Sequence, residues 1–213
     1  MINQKILIEK IKHVEGLLVP GQETTLYLLA QSLAPNSVIV EIGSFKGRST
    51  ACLALGSASS TKIYAIDTFD GNKQDFLEGV QFKGGNFYDT FVRNMKKLRI
   101  FHRIIPIIGF SAKIGERWKK PIDLLFIDGS HVYEDVKRDF ELFFPWVNPG
   151  GLVVFHDVTP EFPGAYSVWN EIAKKRLAAV SNFHTLYFGF KSASPISNVI
   201  KFLKMRKLLK EMK

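Results

Sequence analysis

Four titratable residues stand in two short motifs of the 213-residue chain, and their types suit acid–base chemistry. Asp128 and His131 lie in the sequence Asp-Gly-Ser-His, and His156 and Asp157 are adjacent. Histidine titrates near neutral pH, so His131 suits a general base that removes a proton from a nucleophile. The alternative is that His131 enters a helix and hydrogen-bonds locally. The apolar run before each motif indicates that both motifs follow buried strands.

A second candidate site is the stretch 38–50, where an apolar β-branched run ends at Glu41 and a helix-forming run follows a glycine turn. Gly43 and Gly47 allow backbone angles that other residues resist and let a ligand approach the main chain. Glu41 offers an acceptor for hydroxyl or amino groups, and the free N–H groups at a helix start bind carboxylates. S-adenosylmethionine (SAM) carries ribose, an amino group and a carboxylate, and would use all three features.

Two other nucleotide-binding motifs are absent from this turn. The dinucleotide fingerprint G-x-G-x-x-G fails because Phe45 stands two residues after Gly43. A Walker A loop requires Gly-Lys-Ser/Thr, and the nearest sequence here is Gly47-Arg48-Ser49. The acid two residues before the first glycine therefore favours SAM.

The elements that must position these residues alternate between strands and helices. We predict strands at 37–42, 62–66, 103–108, 122–127 and 152–155, and two weaker strands at 177–180 and 185–190. The alternation predicts a doubly wound α/β fold with a mostly parallel seven-stranded sheet. Ligands bind beyond the carboxyl ends of the strands in such folds. The predicted strand ends carry Glu41, Asp67, Ser111, Asp128 and His156-Asp157.

The chain divides into three predicted parts. Residues 1–34 form an N-terminal helical cap, residues 35–191 the cofactor-binding core, and residues 192–213 a basic amphipathic helix or tail. Further helices are expected at 47–57, 86–98, 111–118, 132–147 and 166–176. The aromatic-rich segments 68–90 and 158–166 are expected to shape the site of a second substrate.

Composition restricts the class of protein and its partners. The formal net charge is +9, but six of the 29 basic residues lie in the last thirteen positions, so the charge does not by itself indicate nucleic acid. No apolar run reaches the roughly 18 residues that cross a bilayer, and no signal peptide is evident, so we expect a cytoplasmic location. The single cysteine, Cys52, excludes an internal disulfide and a multi-cysteine metal site.

Four ordered motifs resemble those of the class I SAM-dependent methyltransferases. Within that class they are most similar to the small-molecule family that includes cephalosporin-type and macrolide-sugar O-methyltransferases, and the motifs span residues 41–50, 64–69, 126–133 and 149–157. Phe45 stands where the broad class often has a middle glycine, which departs from the class but not from this subgroup.

The resemblance implies roles for the matching residues. The glycine turn would hold the amino-acid part of SAM, Asp67 would bind the ribose hydroxyls, and Phe110 would border the adenine. Asp128, His131 and His156 are the implied catalytic candidates, with Asp128 facing the methyl-transfer centre. The residues implied to bind the cofactor are Glu41, Gly43, Ser44, Phe45, Gly47, Ser49, Thr50, Asp67, Phe110, Ser111 and Asp128.

The resemblance also raises the question of a metal. Relatives often bind a divalent cation with the acid that ends strand four and an acidic pair that ends strand five. Asp128 and Asp157 match two of these positions, whereas His156 replaces one acid and Ser130 another. Magnesium prefers oxygen ligands, while a borderline metal accepts imidazole. The candidate ligands are therefore Asp128, His156 and Asp157, for magnesium or another divalent metal.

The leading functional prediction is methyl transfer from SAM to a small hydroxylated acceptor, such as a sugar or a secondary metabolite. A nucleic-acid methyltransferase or binder, which the charge suggests, is less favoured, and a catalytically silent SAM-binding module is the third alternative. We expect a homo-oligomer. Residues 196–212 leave open an oligomer contact, peripheral contact with an anionic membrane or a solvated tail. The sequence does not identify the acceptor.

Overall fold

A seven-stranded sheet forms the centre of the computed structural model, which describes residues 4–70 and 87–192 together with Leu203. The strands are β1 (Val38–Ile42), β2 (Lys62–Asp67), β3 (Ile104–Ile108), β4 (Ile122–Ile127), β5 (Val147–Phe155), β6 (Leu177–Phe183) and β7 (Leu186–Lys191). Their order is β3-β2-β1-β4-β5-β7-β6. The first five strands are parallel, and β7 pairs antiparallel with β5 and β6. The predicted fold, a doubly wound and mostly parallel sheet, is confirmed.

Helices cover both faces of this sheet. They are α1 (Gln4–Ile11), α2 (Gln22–Gln31), α3 (Arg48–Gly56), α4 (Phe87–Lys97), α5 (Ser111–Gly115), α6 (Tyr133–Phe143), α7 (Pro163–Val168) and α8 (Lys174–Arg176). A π-helical turn, Trp169–Ala173, joins α7 to α8. Within the described ranges, no helix is both long and apolar enough to cross a bilayer.

Two apolar cores result from the alternation of side chains along the strands. Leu124 of β4 belongs to the core beneath α1–α4, and its neighbour Leu125 belongs to the core beneath α6 and α7. Leu7, Ile11 and Leu26 of α1 and α2 are buried in the first core. The N-terminal helices therefore share a core with the sheet.

The element boundaries differ from the predicted ones where proline and glycine change the backbone. The helix predicted to reach residue 147 ends at Phe143, because Phe144–Trp146 tightens into a 3-10 turn that contains Pro145. The strand predicted at 152–155 begins earlier, because residues 148–151 belong to β5, where the register with β4 shifts between Ile122 and Leu124. The predictions for residues 71–86, and for most of the C-terminal segment, lie outside the described residues.

Candidate functional site

A cavity of about 1180 Å³ opens where the parallel strands end. Gly43, Asp67, Asp128 and His156, from the ends of four different strands, line it. Drug-sized ligands occupy roughly 300–1,000 Å³, so this cavity has room for a nucleoside cofactor and a second small molecule. The sequence-based expectation that the polar strand ends share one site is met by these residues.

The floor of the cavity depends on Gly43. Its backbone has a φ of 88°, in the left-handed region. A Cβ added there would stand 2.1 Å from the carbonyl oxygen of Asp128. The backbone N–H of Asp128 in turn donates to the carbonyl of Ile42 at 2.8 Å. Because position 43 has no side chain, the ends of β1 and β4 come close together and the turn can cradle a ligand.

Phe45 takes the place of the middle glycine and also has a positive φ, of 45°. Its backbone N–H donates to Oδ2 of Asp67 at 2.7 Å. Its ring packs edge-to-face on Phe87, with the ring centroids 4.9 Å apart. The other carboxylate oxygen, Oδ1 of Asp67, accepts from the N–H of Phe69 at 2.6 Å. Asp67 therefore both lines the cavity and holds the strained turn, and burial raises its pKa.

Glu41, which the sequence predicts to contact the ligand, lies behind the glycine turn. It is fully buried and does not line the cavity, and neither do Gly47 and Thr50. Oε2 of Glu41 accepts hydrogen bonds from the hydroxyl of Ser44, at 2.9 Å, and from that of Thr50. Oε1 is buried without a hydrogen-bond partner in the part of the chain that the structure describes. Burial raises the pKa of Glu41 to about 7, although the hydroxyl groups of Ser49, Thr50 and Ser44 oppose this shift.

The second half of the site is a cluster of two acids and two histidines. Nδ1 of His156 lies 2.9 Å from Oδ1 of Asp128 and 3.1 Å from Oδ2 of Asp157. Nε2 of His131 lies 3.1 Å from the same Oδ2 of Asp157. The structure therefore brings together all four residues that the sequence singled out.

The charges in this cluster affect one another. Burial opposes protonation of His156, but Asp128 and Asp157 outweigh it and raise its pKa to about 10. Burial raises the pKa of Asp128 despite the neighbouring imidazole. For Asp157, burial acts upward, but the neighbouring His131 and His156 outweigh it and lower the pKa. The cluster therefore favours a positive charge, imidazolium or metal, between its two carboxylates.

The same residues fit a divalent cation. One ligand atom each from Asp128, His156 and Asp157 lie within 4.8 Å of one another. Nδ1 of His156 is close to both carboxylates, yet among the described residues it has no partner with acceptable hydrogen-bond geometry. Ser130 is engaged elsewhere, because its hydroxyl donates to Asp135 at 3.0 Å. A mixed imidazole–carboxylate set suits a borderline metal.

Comparison with known proteins shows the family to which the chain belongs. A sequence profile described as a methyltransferase domain matches residues 40–158, more than half of the chain. The chain belongs to the methyltransferase-domain family. The match contains the glycine turn, Asp67 and the cluster around His156. The resemblance to methyltransferases stated from the sequence is confirmed.

Similar proteins match either most of this chain or a shorter stretch of it. The protein y4gI of Sinorhizobium fredii, itself uncharacterised, is 31% identical over 153 residues, which cover 70% of this chain and 16% of that protein. A demethylmacrocin O-methyltransferase of Streptomyces fradiae is 47% identical over 57 residues, 26% of this chain and 14% of that enzyme. The chain thus spans half or less of the length of these and similar curated relatives.

A solved structure gives the same fold. The O-methyltransferase of Bacillus cereus, in complex with SAH, has a TM-score of 0.63 and 17% sequence identity. The alignment covers 91% of this chain and 93% of that chain. This similarity confirms the Rossmann-like fold of the methyltransferase domain, including regions outside the profile match.

The N-terminal segment of this methyltransferase domain forms one wall of the cavity through Gly16, Leu17 and Leu18. Arg48, at the start of α3, anchors the segment. Its guanidinium pairs with Oε1 of Glu23 at 2.9 Å, and its Nη1 donates to the carbonyl of Val14 at 2.7 Å. The sequence does not predict this pairing, because no periodic pattern relates Arg48 to Glu23 and Val14, which lie 25 and 34 residues earlier.

Asp139 of α6 is a further cavity residue that the sequence reasoning missed. It is 2% exposed and receives a hydrogen bond from Ser111 at the start of α5. Burial raises its pKa to about 7, although the bond from Ser111 opposes this. A signal was present, because Asp139 falls on the same helix stripe as the buried residues Val136, Phe140 and Phe143. Phe110, predicted to border the adenine, lies at the rim and is 67% exposed.

His131 is held against the cluster by the segment that follows β5. Its ring packs on Phe162, with the ring centroids 4.1 Å apart and a tilt of 34°. A Cβ on Gly164 would stand 2.0 Å from the carbonyl oxygen of His131, so the glycine lets α7 approach closely. His131 and Asp157 both line the cavity, so an acid lies beside the candidate base.

Proposed function

We propose that the protein is a SAM-dependent O-methyltransferase that acts on a small hydroxylated acceptor, such as a sugar or a secondary metabolite. The observation that carries the proposal is the shared cavity. It holds the glycine turn and Asp67 at one side, and the cluster of Asp128, His131, His156 and Asp157 at the other. A cofactor site and a proton-transfer site therefore adjoin within one volume.

The residues on the turn side fit the parts of SAM. Asp67 keeps acceptor capacity for the ribose, because its two oxygens offer four lone-pair sites and accept backbone N–H groups from Phe45, Phe69 and Ser44. The first N–H groups of α3 face the same side and suit the carboxylate. Ser111, which follows β3, and Asp139 of α6, which accepts a hydrogen bond from Ser111, line the cavity and suit the adenine. When bound, SAM supplies an electrophilic methyl group on its sulfonium.

The residues on the cluster side would manage the proton of the acceptor hydroxyl. Methyl transfer needs the nucleophile, the methyl carbon and the sulfur in line, and it releases the proton of the attacking hydroxyl. His131 is our candidate for the group that accepts this proton, with Asp157 orienting the imidazole at 3.1 Å. Asp128, the member of the cluster whose backbone lies against Gly43, would orient the hydroxyl.

A divalent cation would be held by Asp128, Nδ1 of His156 and Asp157. Such an ion lowers the pKa of a bound hydroxyl and fixes its position. The imidazole ligand favours manganese, iron, cobalt or zinc relative to a site built from oxygens alone. The neighbouring His131 would then receive the proton from a more acidic hydroxyl.

Oxygen as the accepting atom is supported by the name of one relative, demethylmacrocin O-methyltransferase, which matches over 57 residues. The walls of the cavity agree with a partly apolar acceptor. Leu17, Leu18 and Val132 contribute apolar side chains to the lining of the cavity, while His131 supplies a polar group. A sugar with one apolar face would be accommodated by this combination.

Calorimetry with SAM, followed by a turnover screen with sugars and phenols, tests the proposal. We expect SAM to bind the wild-type protein, and the screen to yield a methylated hydroxyl product whose formation a chelator suppresses. Failure of SAM to bind would overturn the proposal. Binding without any turnover would instead indicate a silent SAM-binding module. Salt-sensitive binding of RNA or DNA to the full chain would favour the nucleic-acid alternative.

A further inference from the structure

A glutamine outside the region matched by the family profile contacts the centre of the site. Gln22 is the first residue of α2, and its side chain is fully buried. Its Oε1 lies 2.9 Å from Nε2 of His156, which is 134 residues further along the chain. Nδ1 of the same imidazole faces Asp128 and Asp157. The two nitrogens of His156 thus face two different environments.

The orientation of the Gln22 amide follows from its other two contacts. The backbone N–H of Val19, which can only donate, points at Oε1 from 2.9 Å. The amide nitrogen of Gln22 lies 3.0 Å from the hydroxyl of Thr185 and can donate to it. A flipped amide would place NH₂ against the N–H of Val19, two donors facing each other. The atom beside Nε2 of His156 is therefore the amide oxygen.

This orientation fixes one proton on His156. An amide oxygen only accepts, so Nε2 must carry the hydrogen that bonds to it. In the neutral imidazole, the lone pair is then on Nδ1, the nitrogen that faces the two carboxylates. Two acids and a lone pair repel one another unless a cation or a proton lies between them. The backbone of Val19 therefore determines, through Gln22, which nitrogen can act as a ligand.

Contacts of the neighbouring residues fix the position of Gln22. Gly21 precedes it with a φ of 95°, and a Cβ there would stand 2.6 Å from the ring of Phe183. The first turn of α2 can therefore lie against the end of β6. Thr185 joins the same assembly, because its carbonyl accepts from the N–H of Val158 at 3.0 Å. Gln22 is thus connected both to the imidazole and to the loop that follows it.

We propose that Gln22 is a positioning residue that holds His156 with its hydrogen on Nε2, so that Nδ1 is presented as a ligand to a divalent cation beside Asp128 and Asp157. This inference rests on the proposed cation site. Groups that orient a metal-binding histidine commonly change metal affinity about 10–100-fold when they are lost. The assignment adds a residue of the N-terminal segment to the site.

Manganese affinity, measured by the electron paramagnetic resonance signal of free Mn²⁺, gives the first test. We expect Gln22→Met, which has a similar volume and no acceptor, to weaken Mn²⁺ binding about 10–100-fold. Gln22→Glu keeps an acceptor oxygen and should restore most of the affinity. Gln31→Met, at the other end of α2, is the matched control and should bind Mn²⁺ as the wild type does. Equal affinity of wild type and Gln22→Met would overturn the inference and leave the proposed function standing.

The hydrogen on Nε2 gives a second readout that needs no metal. In ¹⁵N-histidine-labelled protein, we expect a slowly exchanging Nε2–H resonance from His156, assigned by its loss in His156→Asn. It should persist in Gln22→Glu and disappear in Gln22→Met. If wild type binds no Mn²⁺, the cation part of the proposed function fails, and a resonance that persists in Gln22→Met overturns the positioning role. If Gln22→Met does not fold, absence of the resonance from Gln22→Glu overturns it instead.

Discussion

The buried carboxyl of Glu41 makes the stability of the ligand-free protein depend on pH. Glu41 lies beneath the glycine turn, and burial raises its pKa to about 7 from an ordinary value of 4.5. Replacing it by glutamine keeps the size of the side chain and an acceptor for the hydroxyls of Ser44 and Thr50. The replacement removes the charge that the fold must accommodate at neutral pH.

The size of the effect follows from the two pKa values. Below pH 4.5, Glu41 is protonated in both the folded and the unfolded chain, and ionisation has no effect on stability. As the pH rises, the unfolded chain releases its proton first, so the free energy of unfolding falls. The loss is complete above about pH 7. At 1.36 kcal/mol per pKa unit, this amounts to about 3 kcal/mol.

Denaturant unfolding of wild type and Glu41→Gln, at about pH 5 and about pH 8 with chelator and without SAM, measures this loss. Burial of the glutamine amide in Glu41→Gln has a cost that does not depend on pH, so this cost cancels when each protein is compared with itself at the two pH values. We expect wild type to lose about 2–3 kcal/mol more than the variant over this interval. Glu116→Gln, at a more exposed position near the cavity, serves as a control and should follow the wild-type curve. Parallel curves for wild type and Glu41→Gln would refute the reasoning.

Three further predictions concern the turn and the cluster. Gly43→Ala should lower the free energy of unfolding by more than about 3 kcal/mol, because its Cβ would clash with the carbonyl of Asp128. Gly109→Ala has a positive φ but no contact closer than 3.7 Å, so thermal unfolding should show a smaller loss. Asp67→Ala should weaken SAM binding about 10–100-fold by calorimetry, because it loses the predicted ribose contacts and leaves the N–H of Phe45 without its carboxylate; undiminished affinity would contradict the assigned site. His131→Asn should lower kcat about 10²–10⁴-fold with little change in KM for SAM, and an unchanged kcat would exclude it as the base.

Local sequence patterns were sufficient to place the strands and their polar ends. β4 is an apolar run followed by Asp128, and β1 is one that contains Glu41 and ends directly before Gly43. In a parallel sheet such ends meet at one edge, so the topology brings Gly43, Asp67, Asp128 and His156 together without further information. The fold and most of the site could therefore be predicted.

Contacts between distant segments could not be predicted in this way. Gln22 meets His156, and Arg48 meets Glu23, only because α2 packs beside the end of the sheet. The surroundings of the Glu41 side chain could not be predicted for a related reason. The pattern places it at the strand end, but the pleat turns its side chain beneath α3, towards Thr50, and away from the cavity.

The segment between α1 and α2 contacts both the cavity and the residue that holds His156. Gly16 and Leu17 form a wall of the cavity, and the N–H of Val19, three positions from Gln22, fixes the amide beside His156. A recombinant exchange of this segment with a relative would therefore alter which molecules fit and how the imidazole is held in a single step. Variants designed for a new acceptor should change Leu17 and Leu18 and retain Gly16, where a Cβ would stand 2.5 Å from Cβ of Arg48, together with residues 19–22.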